Sequence, residues 1–477
     1  MHSGFRTSIT VAAAGLLATT VATLPSDAST TGPYATAISH PVRDDMFPAY
    51  GNTTVDALHY ALSLRWHRAT RELTGIETLR FRAAHSAAHF SLDLSSRLHT
   101  ADVRLDGRPV RVSRPDHHTI DFHHGVVAGN RYTLHLRYHG EPRPVGLRST
   151  RVGGDKMPLG WSSNARGEGY TAQDEPFGAF TWYAVNDQPS DKALYDFRIT
   201  APKHWVGVAN GRLRSRTKKH GLTRTHWQLT TPASSYLTTV GIGPYKETVD
   251  RRVPGLPITY WTPRDQPWTL KKVRYAATAV KWLENKLGRF PFPTLGILVA
   301  PQGGMETQTM ITLGRNEGDL AKDTIVHEIA HHWFGDEVTP ERWHDGWLNE
   351  GWATYLAEAV WASHGSASRL NTILTNWSFS APDWRGRAGP PARPFKHSAF
   401  DGNIYYIPAL MWDLVRQQVG TAKFWKIAAA WPREHRFGNA DYAENLRWWD
   451  AQTGLDLEPL FKRWLLDKAE PEWPPPK

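Results

Sequence analysis

Residues 327–355 read HEIAHHWFGDEVTPERWHDGWLNEGWATY, and this stretch decides both the fold class and the chemistry. His327 and His331 are four positions apart, so on a helix they lie one turn apart on the same face. Neutral imidazole nitrogens suit Zn²⁺ as ligands. The carboxylate of Glu328, between the two histidines, is well placed to accept a proton from a metal-bound water. Gly335 marks the expected end of this amphipathic helix.

A third metal ligand is expected from a neighbouring helix, because a catalytic zinc takes three protein ligands and keeps one position open. Glu350 lies nineteen positions after His331, in the segment Asn349–Ala353 that opens the next predicted helix. Pro340 in the intervening loop allows the two helices to pack antiparallel. We therefore expect one Zn²⁺ per chain, bound by His327, His331 and Glu350; the alternative is a surface helix with two solvated histidines.

The whole run from His327 to Tyr355 resembles the M1 family of zinc aminopeptidases, the gluzincins related to aminopeptidase N. The resemblance covers most of the chain and ends near Leu466. It implies a β-rich N-terminal domain, a thermolysin-like catalytic domain, and a short form that lacks the C-terminal helical domain of full-length members. It also implies the family's reaction, which removes single amino acids from peptides with a free N-terminus.

A second segment, Gly303-Gly304-Met305-Glu306-Thr307, resembles the Gly-x-Met-Glu-Asn exopeptidase signature of that family. The resemblance implies that Glu306 holds the free α-ammonium of the substrate. It also implies that Gly303 and Gly304 let the peptide backbone approach closely. Thr307 replaces the usual Asn, which leaves one polar contact open. Without the zinc motif, Glu306 would be interpreted as an ordinary exposed acid beside a glycine turn.

A third segment, Gln173-Asp174-Glu175-Pro176, resembles the family's Gln-x-Glu/Gln motif. The resemblance implies that Glu175 is a second carboxylate at the substrate ammonium and that Gln173 is an additional substrate contact. Two such acids would discriminate against an acylated N-terminus, because that substrate leaves buried acids unpaired. The alternative is a structural turn before Pro176.

Ile404-Tyr405-Tyr406 stands where the family has Tyr-Glu-Lys-Gly. The resemblance implies that Tyr405 stabilises the tetrahedral intermediate. Tyr406, Ile407 and Pro408 depart from the family pattern, so Tyr406 is the alternative for that role. A tyrosine that only packs in the core is a further alternative.

Carboxylates beyond the metal ligands usually orient zinc-bound histidines. Glu358 lies two turns after Glu350 on the same helix face and is a candidate for this task. Its position is offset by one from the usual family position, so the sequence alone assigns it no role.

The 477 residues exceed the size of a single core, so two domains are expected. Between Asp56 and Lys246 apolar residues alternate with period two, which predicts an antiparallel β domain; after Pro254 the period becomes helical. The expected fold class is α+β: a saddle-like, antiparallel β-rich N-terminal domain followed by a mainly helical thermolysin-like catalytic domain. The expected segments are a signal peptide (1–28), a flexible lead-in (29–45), the β domain (46–247), the catalytic domain (248–468) and a tail (469–477).

The N-terminus reads as a secretory signal peptide: Arg6, an apolar stretch from Ile9 to Leu24, and the small-residue triplet Ser26-Asp27-Ala28. We expect cleavage near Ala28, bacterial export to the medium or cell envelope, and no stable membrane insertion after cleavage. A membrane anchor is the alternative, although the stretch is short for a span. The chain has no Cys, which excludes disulfides, thiolate metal ligands and a cysteine nucleophile.

The formal net charge is +10, and the basic residues are scattered along the chain. No nucleic-acid-binding module is recognisable, so no nucleic-acid partner is expected. A solvated basic surface is the simplest interpretation, and attraction to an anionic cell envelope is the alternative. The expected partners are peptides with a free N-terminus, and a monomer is favoured.

The sequence therefore predicts a zinc aminopeptidase, with two alternatives. One is a thermolysin-like zinc endopeptidase, because a missing C-terminal domain would open the cleft to larger peptides; the ammonium trap predicted at Glu306 argues against it. The other is a non-catalytic peptide-binding relative. Such a relative would be expected to lose the general base or a ligand, whereas Glu328 and the three predicted zinc ligands are all present.

Overall fold

The computed structural model describes residues 34–148, 156–396, 398 and 400–473. The predicted signal peptide, residues 1–28, lies outside these ranges, as do residues 474–477 of the predicted tail. Within the described ranges, we find no helix with the length and apolar character that crossing a membrane requires.

The N-terminal half is built mainly of strands. In chain order they are β1 Val55–His67, β2 Glu72–Ala83, β3 Phe90–Asp93, β4 Leu98–Leu105, β5 Arg108–Pro109, β6 Val112–Ser113, β7 Thr119–Phe122, β8 Arg131–Gly140, β9 Val145–Arg148, β10 Lys156–Ser163, β11 Gly169–Gln173, β12 Lys192–Pro202, β13 Val206–Ala209, β14 Arg212–Lys219, β15 Leu222–Ser234 and β16 Val240–Gly243.

These strands form three sheets. An eight-stranded sheet has the order β14-β15-β12-β1-β2-β8-β4-β5, a five-stranded sheet the order β13-β16-β11-β10-β9, and a three-stranded sheet the order β3-β7-β6. In the large sheet, β1 and β12 run parallel while the other neighbours are antiparallel. The period-two pattern is realised on β1, where Tyr60, Leu62 and Leu64 are buried and Arg65 is exposed. The predicted β-rich N-terminal domain is confirmed.

The second half is mainly helical. Its helices are α1 Trp268–Val273, α2 Ala276–Leu287, α3 Lys322–Ala330, α4 Trp347–Thr354, α5 Ala367–Ala388, α6 Gly402–Val419, α7 Thr421–Glu434, α8 Tyr442–Thr453 and α9 Glu458–Phe461. Its strands are β17 Tyr245–Asp250, β18 Ile258–Pro263, β19 Leu295–Val299, β20 Ile311–Leu313, β21 Thr339–Pro340 and β22 Asn439–Ala440. Two π-helical segments, Tyr355–Trp361 and Lys462–Leu466, extend α4 and α9.

A four-stranded sheet, β17-β18-β19-β20, lies in the second half. The helical half has its own core, in which the rings of Trp352, Trp412 and Trp449 stack on one another. Trp261 and Leu298 of the four-stranded sheet instead join the core of the β-rich half. The boundary proposed between residues 247 and 248 falls inside β17 and stays a prediction.

Part of the predicted lead-in, from Ser39 to Asp45, makes hydrogen bonds to distant elements, while its flexibility stays a prediction. The backbone N–H of Ser39 donates to Asp56 Oδ1 at 2.9 Å. The backbone N–H of Trp343 donates to Asp44 Oδ2 at 2.6 Å, and His344 Nδ1 lies 2.8 Å from Asp45 Oδ1. Composition suggested flexibility, but these side chains bond to elements that are distant in sequence.

A buried lysine connects the β-rich half to the helical half. Lys192, the first residue of β12, is 1% exposed. Its Nζ donates to the carbonyl oxygens of Gly438 at 2.8 Å, Asp336 at 3.2 Å and Glu337 at 3.3 Å. Burial lowers the pKa of Lys192 to about 7, against the opposing charges of Asp336 and Glu337. Three acceptors match the three N–H groups of an ammonium, so this contact fixes the loop after α3.

Replacing Lys192 by Met is expected to destabilise the protein by about 2–4 kcal/mol, because three buried carbonyl groups lose their donor. The free energy of unfolding in urea measures the effect. Lys203→Met, at an exposed position, is the matched control and is expected to change stability by less than about 0.5 kcal/mol. Equal stability of the two variants would contradict the structural role of Lys192.

Candidate active site

Helices α3 and α4 bring the three predicted metal ligands together. Glu350 Oε2 lies 3.2 Å from His327 Nε2 and 3.4 Å from His331 Nε2. The three ligand atoms lie within 4.8 Å of one another, and all three residues are buried. Ligands about 2.1 Å from a tetrahedral zinc are about 3.4 Å apart, so this donor set fits Zn²⁺.

The second nitrogen of each imidazole sets the direction of its ring. His331 Nδ1 donates to the carbonyl oxygen of Phe334 at 3.1 Å. His327 Nδ1 lies 3.7 Å from Glu358 Oε1. The carbonyl partner of His331 orients that ring as is usual for histidine ligands of metals, whereas the Glu358 carboxylate is beyond hydrogen-bond distance of His327 Nδ1 and acts on it through charge. Both Nε2 atoms consequently face Glu350.

The sequence identifies Glu358 as a candidate without assigning it a role. The structure explains why its position is offset by one residue from the family pattern. It lies in the π-helical segment Tyr355–Trp361, which continues α4. A π-helical turn holds an extra residue relative to an α-helix and shifts the register of the residues after it. An offset of one position is therefore compatible with a carboxylate that faces His327.

The charges of the three ligands perturb one another. Burial would raise the pKa of Glu350, but His331 and His327 hold it well below its ordinary value. Burial would lower the pKa of His331, but the carboxylates of Glu306 and Glu350 raise it well above its ordinary value. The site thus favours a negative Glu350 beside positive charge.

Glu328 lies next to the ligands, on α3. Its carboxylate is within 4.8 Å of ligand atoms of Glu306 and His331, and the residue is 7% exposed. Burial raises the pKa of Glu328 to about 7; the carboxylates of Glu306 and Glu350 add to the rise, and the two histidines oppose it. The Glu328 carboxylate therefore lies beside the predicted metal ligands, where burial favours its protonated form more than in water.

The glycine pair runs beside β20 at the edge of the four-stranded sheet. The N–H groups of Gly304 and Met305 donate to the carbonyl oxygen of Thr312 at 2.9 and 3.0 Å. Gly304 has φ +122°, and a Cβ on Gly303 would lie 2.8 Å from that same oxygen. Both positions therefore require glycine. This edge segment leads directly to Glu306.

Thr307, which replaces the Asn of the family signature, makes hydrogen bonds within the turn that follows Glu306. Its hydroxyl donates to the carbonyl oxygen of Met310 and lies 3.1 Å from Thr312 Oγ1. The residue is buried. Thr307 therefore stabilises the turn that carries Glu306.

Glu175 enters the site from the β-rich half. It is 3% exposed, and its carboxylate lies within 4.8 Å of carboxylate oxygens of Glu306 and Glu350. The neighbouring Asp174 Oδ2 accepts a hydrogen bond from Trp182 Nε1 at 3.2 Å, which anchors the segment. Gln173 ends β11 opposite Gly160. Among the described residues, the Gln173 side chain makes no hydrogen bond with these acids.

The two adjacent tyrosines of α6 have different surroundings. The ring of Tyr405 stacks beside His327, with centroids 6.3 Å apart and an interplanar angle of 21°. Tyr406 instead packs on Trp384 at 4.6 Å and Trp377 at 5.0 Å. This placement favours the Tyr405 register over Tyr406.

The Ile407-Pro408 departure from the family pattern has a packing role. A Cβ on Gly351 would lie 2.5 Å from Pro408 Cβ, so α4 and α6 approach closely at this point. The contact is adjacent to Glu350. It fixes the distance between the helix that carries this ligand and the helix that carries Tyr405.

Tyr236 was not identified from the sequence. It is fully buried; its hydroxyl donates to the carbonyl oxygen of Gly335 at 3.3 Å and accepts from Asn349 Nδ2 at 3.2 Å. Burial raises the pKa of Tyr236 well above its ordinary value, and the charges of Glu306 and Glu175 add to that rise. Tyr236 therefore connects Gly335, in the loop after α3, to α4, next to the acidic cluster. No local sequence motif identifies it.

Two family models match the chain. Residues 56–237 match the Peptidase M1 N-terminal domain, and residues 273–464 match the Peptidase family M1 domain. Aminopeptidase N of Streptomyces lividans is 28% identical over 315 residues, which cover 59% of this chain and 36% of that protein. Aminopeptidase 2 of Candida albicans is 24% identical over 455 residues, which cover 86% of this chain and 47% of that protein. The chain thus spans less than half the length of these relatives.

Solved structures share the fold over nearly the whole chain. The M1 zinc metallopeptidase from Deinococcus radiodurans has a TM-score of 0.79 at 24% identity, covering 91% of this chain and 99% of that one. A mutant of it bound to a Tyr-Ser-Ala substrate has a TM-score of 0.77 at 23% identity, covering 92% and 100%. These similarities show the fold, a β-rich half followed by a helical half.

Glu358→Gln is expected to weaken zinc binding about tenfold, because the amide loses the charge that orients His327. Competition with a chelator of known affinity measures the change. Glu317→Gln removes an acid whose side chain is 73% exposed, and it is expected to leave zinc affinity unchanged. If Glu358→Gln binds zinc as tightly as this control, Glu358 does not orient His327.

Proposed function

The chain belongs to peptidase family M1, and from this premise we propose that it is a zinc aminopeptidase that hydrolyses the first peptide bond of peptides with a free α-amine. One observation carries the proposal: the carboxylates of Glu175, Glu306 and Glu350 converge within 4.8 Å. Glu350 is accounted for as a zinc ligand. Glu306 is a buried acid beside it that has no metal to neutralise it, and a substrate ammonium supplies the opposite charge.

The environment of Glu306 supports this assignment. Its Oε1 atom is buried and has no hydrogen-bond partner among the described residues. A buried acceptor without a donor costs free energy, whereas an ammonium offers three N–H donors. A peptide whose N-terminus is acetylated cannot supply that charge. An internal peptide bond likewise offers no cation at this point.

Distance then selects the bond that is cleaved. Glu306 lies within 4.8 Å of Glu328 and His331, while Glu175 contacts the same cluster from the β-rich half. An α-ammonium held by these acids would place the first carbonyl carbon of the peptide next to the zinc ligands. Such positioning lowers the entropic part of the barrier.

The chemical roles follow from the positions of the side chains. Zinc bound by His327, His331 and Glu350 would lower the pKa of a coordinated water and polarise a carbonyl group. The Glu328 carboxylate accepts a proton from the attacking water and delivers it to the leaving amine. The Tyr405 hydroxyl donates a hydrogen bond to the developing oxyanion.

Hydrolysis of fluorogenic aminoacyl amides, each with a free and an acetylated N-terminus, tests the proposal. We expect chelator-sensitive cleavage of the free-amine set alone. Glu306→Gln is expected to lower kcat/KM about 100-fold with full zinc content, because the ammonium loses a charged partner. Glu328→Gln is expected to lower kcat about 100- to 10,000-fold, also with zinc retained.

Glu458→Gln, which changes an exposed acid of α9, is the control and is expected to behave as the parent protein. Cleavage of acetylated substrates or internal bonds would assign an endopeptidase and remove the role of Glu306 and Glu175. A zinc-loaded protein that cleaves none of these substrates would instead be a peptide-binding relative.

We also propose that the protein is exported from a bacterial cell to the medium or the cell envelope. The support is the order Arg6, the apolar stretch from Ile9 to Leu24, and the small residues before Ser29. N-terminal sequencing of protein recovered outside the producing cells is expected to start near Ser29. Recovery of the uncleaved chain inside the cells would refute export.

A further inference from the structure

The eight-stranded sheet gathers arginines that are far apart in sequence. Its outer face is defined here as the solvent-facing positions of β1, β2, β8, β12 and β15. Arg65, Arg137, Arg198 and Arg224 are exposed at such positions. None of the four guanidinium groups makes a hydrogen bond or ion pair with another described residue. Four of the dispersed basic residues of the sequence are thus gathered on one surface.

Strand register places three of these arginines next to one another. Thr200 of β12 lies opposite Arg65 of β1 on one side and Arg224 of β15 on the other. Arg198, two residues before Thr200, is diagonal to both. Diagonal positions on adjacent strands are about 8 Å apart between Cα atoms. Arg65, Arg198 and Arg224 therefore form one cluster, called the arginine triad below.

Further basic residues extend the face beyond the triad. Arg137 lies on β8, two strands from β1, opposite Ala101 of β4. On the same strand Arg131 and His139 are also exposed. The positive surface thus continues across the sheet from β15 to β8.

Two acids of this region are already engaged by other bases, whereas Glu72, exposed on β2 opposite His67, lies diagonal to Arg65. Asp196 lies between two histidines, 3.0 Å from His59 Nε2 and 2.5 Å from His226 Nε2. Asp102 is paired with Arg104 at 2.6 Å. The three guanidinium groups of the triad therefore face one neighbouring carboxylate that is not otherwise engaged among the described residues, that of Glu72, and carry an excess of positive charge. Close like charges are destabilising, so the arrangement suits an external anion.

We propose that the outer face binds a flexible linear polymer that carries phosphate groups. Guanidinium groups bind phosphate oxygens through paired, charge-assisted hydrogen bonds. Repeated phosphates can occupy the triad and Arg137 together, whereas a single phosphate can satisfy only one or two guanidinium groups. A polymer with repeated phosphates thus matches both the spacing and the number of the arginine charges on the outer face.

The shape of a large sheet favours a flexible polymer over a bilayer. Neighbouring strands are rotated by about 20°, so the face of an eight-stranded sheet turns strongly from edge to edge. A flexible chain can follow that surface, whereas a planar membrane meets only part of it. The triad also lacks Phe, Tyr or Trp between its members: the intervening outward positions are Ser63, Thr200 and His226. Single-stranded nucleic acid would use aromatic stacking platforms.

The polymer site is separate from the peptide site. The same β strands that display the triad bury Tyr60, Leu62 and Phe197 on their opposite face, within the core of the β-rich half. Glu175 approaches the zinc ligands from beyond that core. Binding at the outer face would therefore hold the enzyme on an anionic polymer while the active site stays open to peptides.

Binding of the intact protein to length-defined inorganic polyphosphate tests this inference. The triad variant is Arg65→Gln/Arg198→Gln/Arg224→Gln. The matched control, Arg251→Gln/Arg369→Gln/Arg447→Gln, removes the same charge from positions outside the sheet. Fluorescence anisotropy of labelled polyphosphate, measured over a series of salt concentrations, gives the affinity and its salt dependence.

We expect the triad variant to bind about 10- to 100-fold more weakly at low salt, with a slope of log K against log salt that is smaller by about 2. The control is expected to change affinity less than about threefold. Both variants are expected to keep the peptide hydrolysis rate of the parent protein, which shows that they are folded. Pyrophosphate is expected to compete poorly, because it cannot span the face.

Three results would overturn the inference. Equal weakening by both variants would mean that binding follows net charge and not the outer face. Triad-dependent binding to phosphatidylglycerol vesicles without binding to polyphosphate would make the partner a bilayer. Tighter triad-dependent binding to single-stranded DNA than to polyphosphate would make it a nucleic acid.

Discussion

The burial of four carboxylates around two histidines is the constraint on which the rest of the structure depends. Glu175, Glu306, Glu328 and Glu350 are all nearly inaccessible to solvent, and ionised acids in that environment are unstable without compensating charge. The two imidazoles do not balance four carboxylates. A divalent cation at the ligands and, in the proposed function, a substrate ammonium at Glu306 bring the cluster closer to neutrality. The proposed recognition of a peptide terminus and the binding of the metal thus meet the same electrostatic requirement.

The scaffold holds this cluster through contacts that lie outside it. The Tyr236 hydroxyl donates to the carbonyl oxygen of Gly335 beside the acids, and Lys192 connects the loop after α3 to the β-rich half. The close approach of Gly351 and Pro408 fixes α4 against α6. These contacts are buried and specific, so the acids are held at fixed separations and cannot relax away from one another. The fixed scaffold keeps the carboxylates close together despite their mutual repulsion, and bound cations reduce that repulsion.

Much of the site was predictable because its signals are local. The spacing of His327 and His331 follows from helix geometry, and Glu350 from the need for a third ligand on a neighbouring helix. Glu358 could not be assigned, because a π-helical segment shifts the register without any mark in the sequence. Contacts that join residues far apart in the chain, such as that of Lys192, could also not be predicted from the sequence. Alternation predicted a wet face on the β domain, but only strand order and register reveal which outward arginines become neighbours.

The origin of Glu175 in the β-rich half has a consequence for how such an enzyme can diverge. The helical half holds all three metal ligands and the proton-transfer group, so the machinery of hydrolysis belongs to one domain. The acids proposed to bind the substrate N-terminus, which set the distance from the chain end to the cleaved bond, come from both domains. In the proposed function, a change at Glu175 in the β-rich half therefore alters which substrates are cut without altering the hydrolytic groups of the helical half.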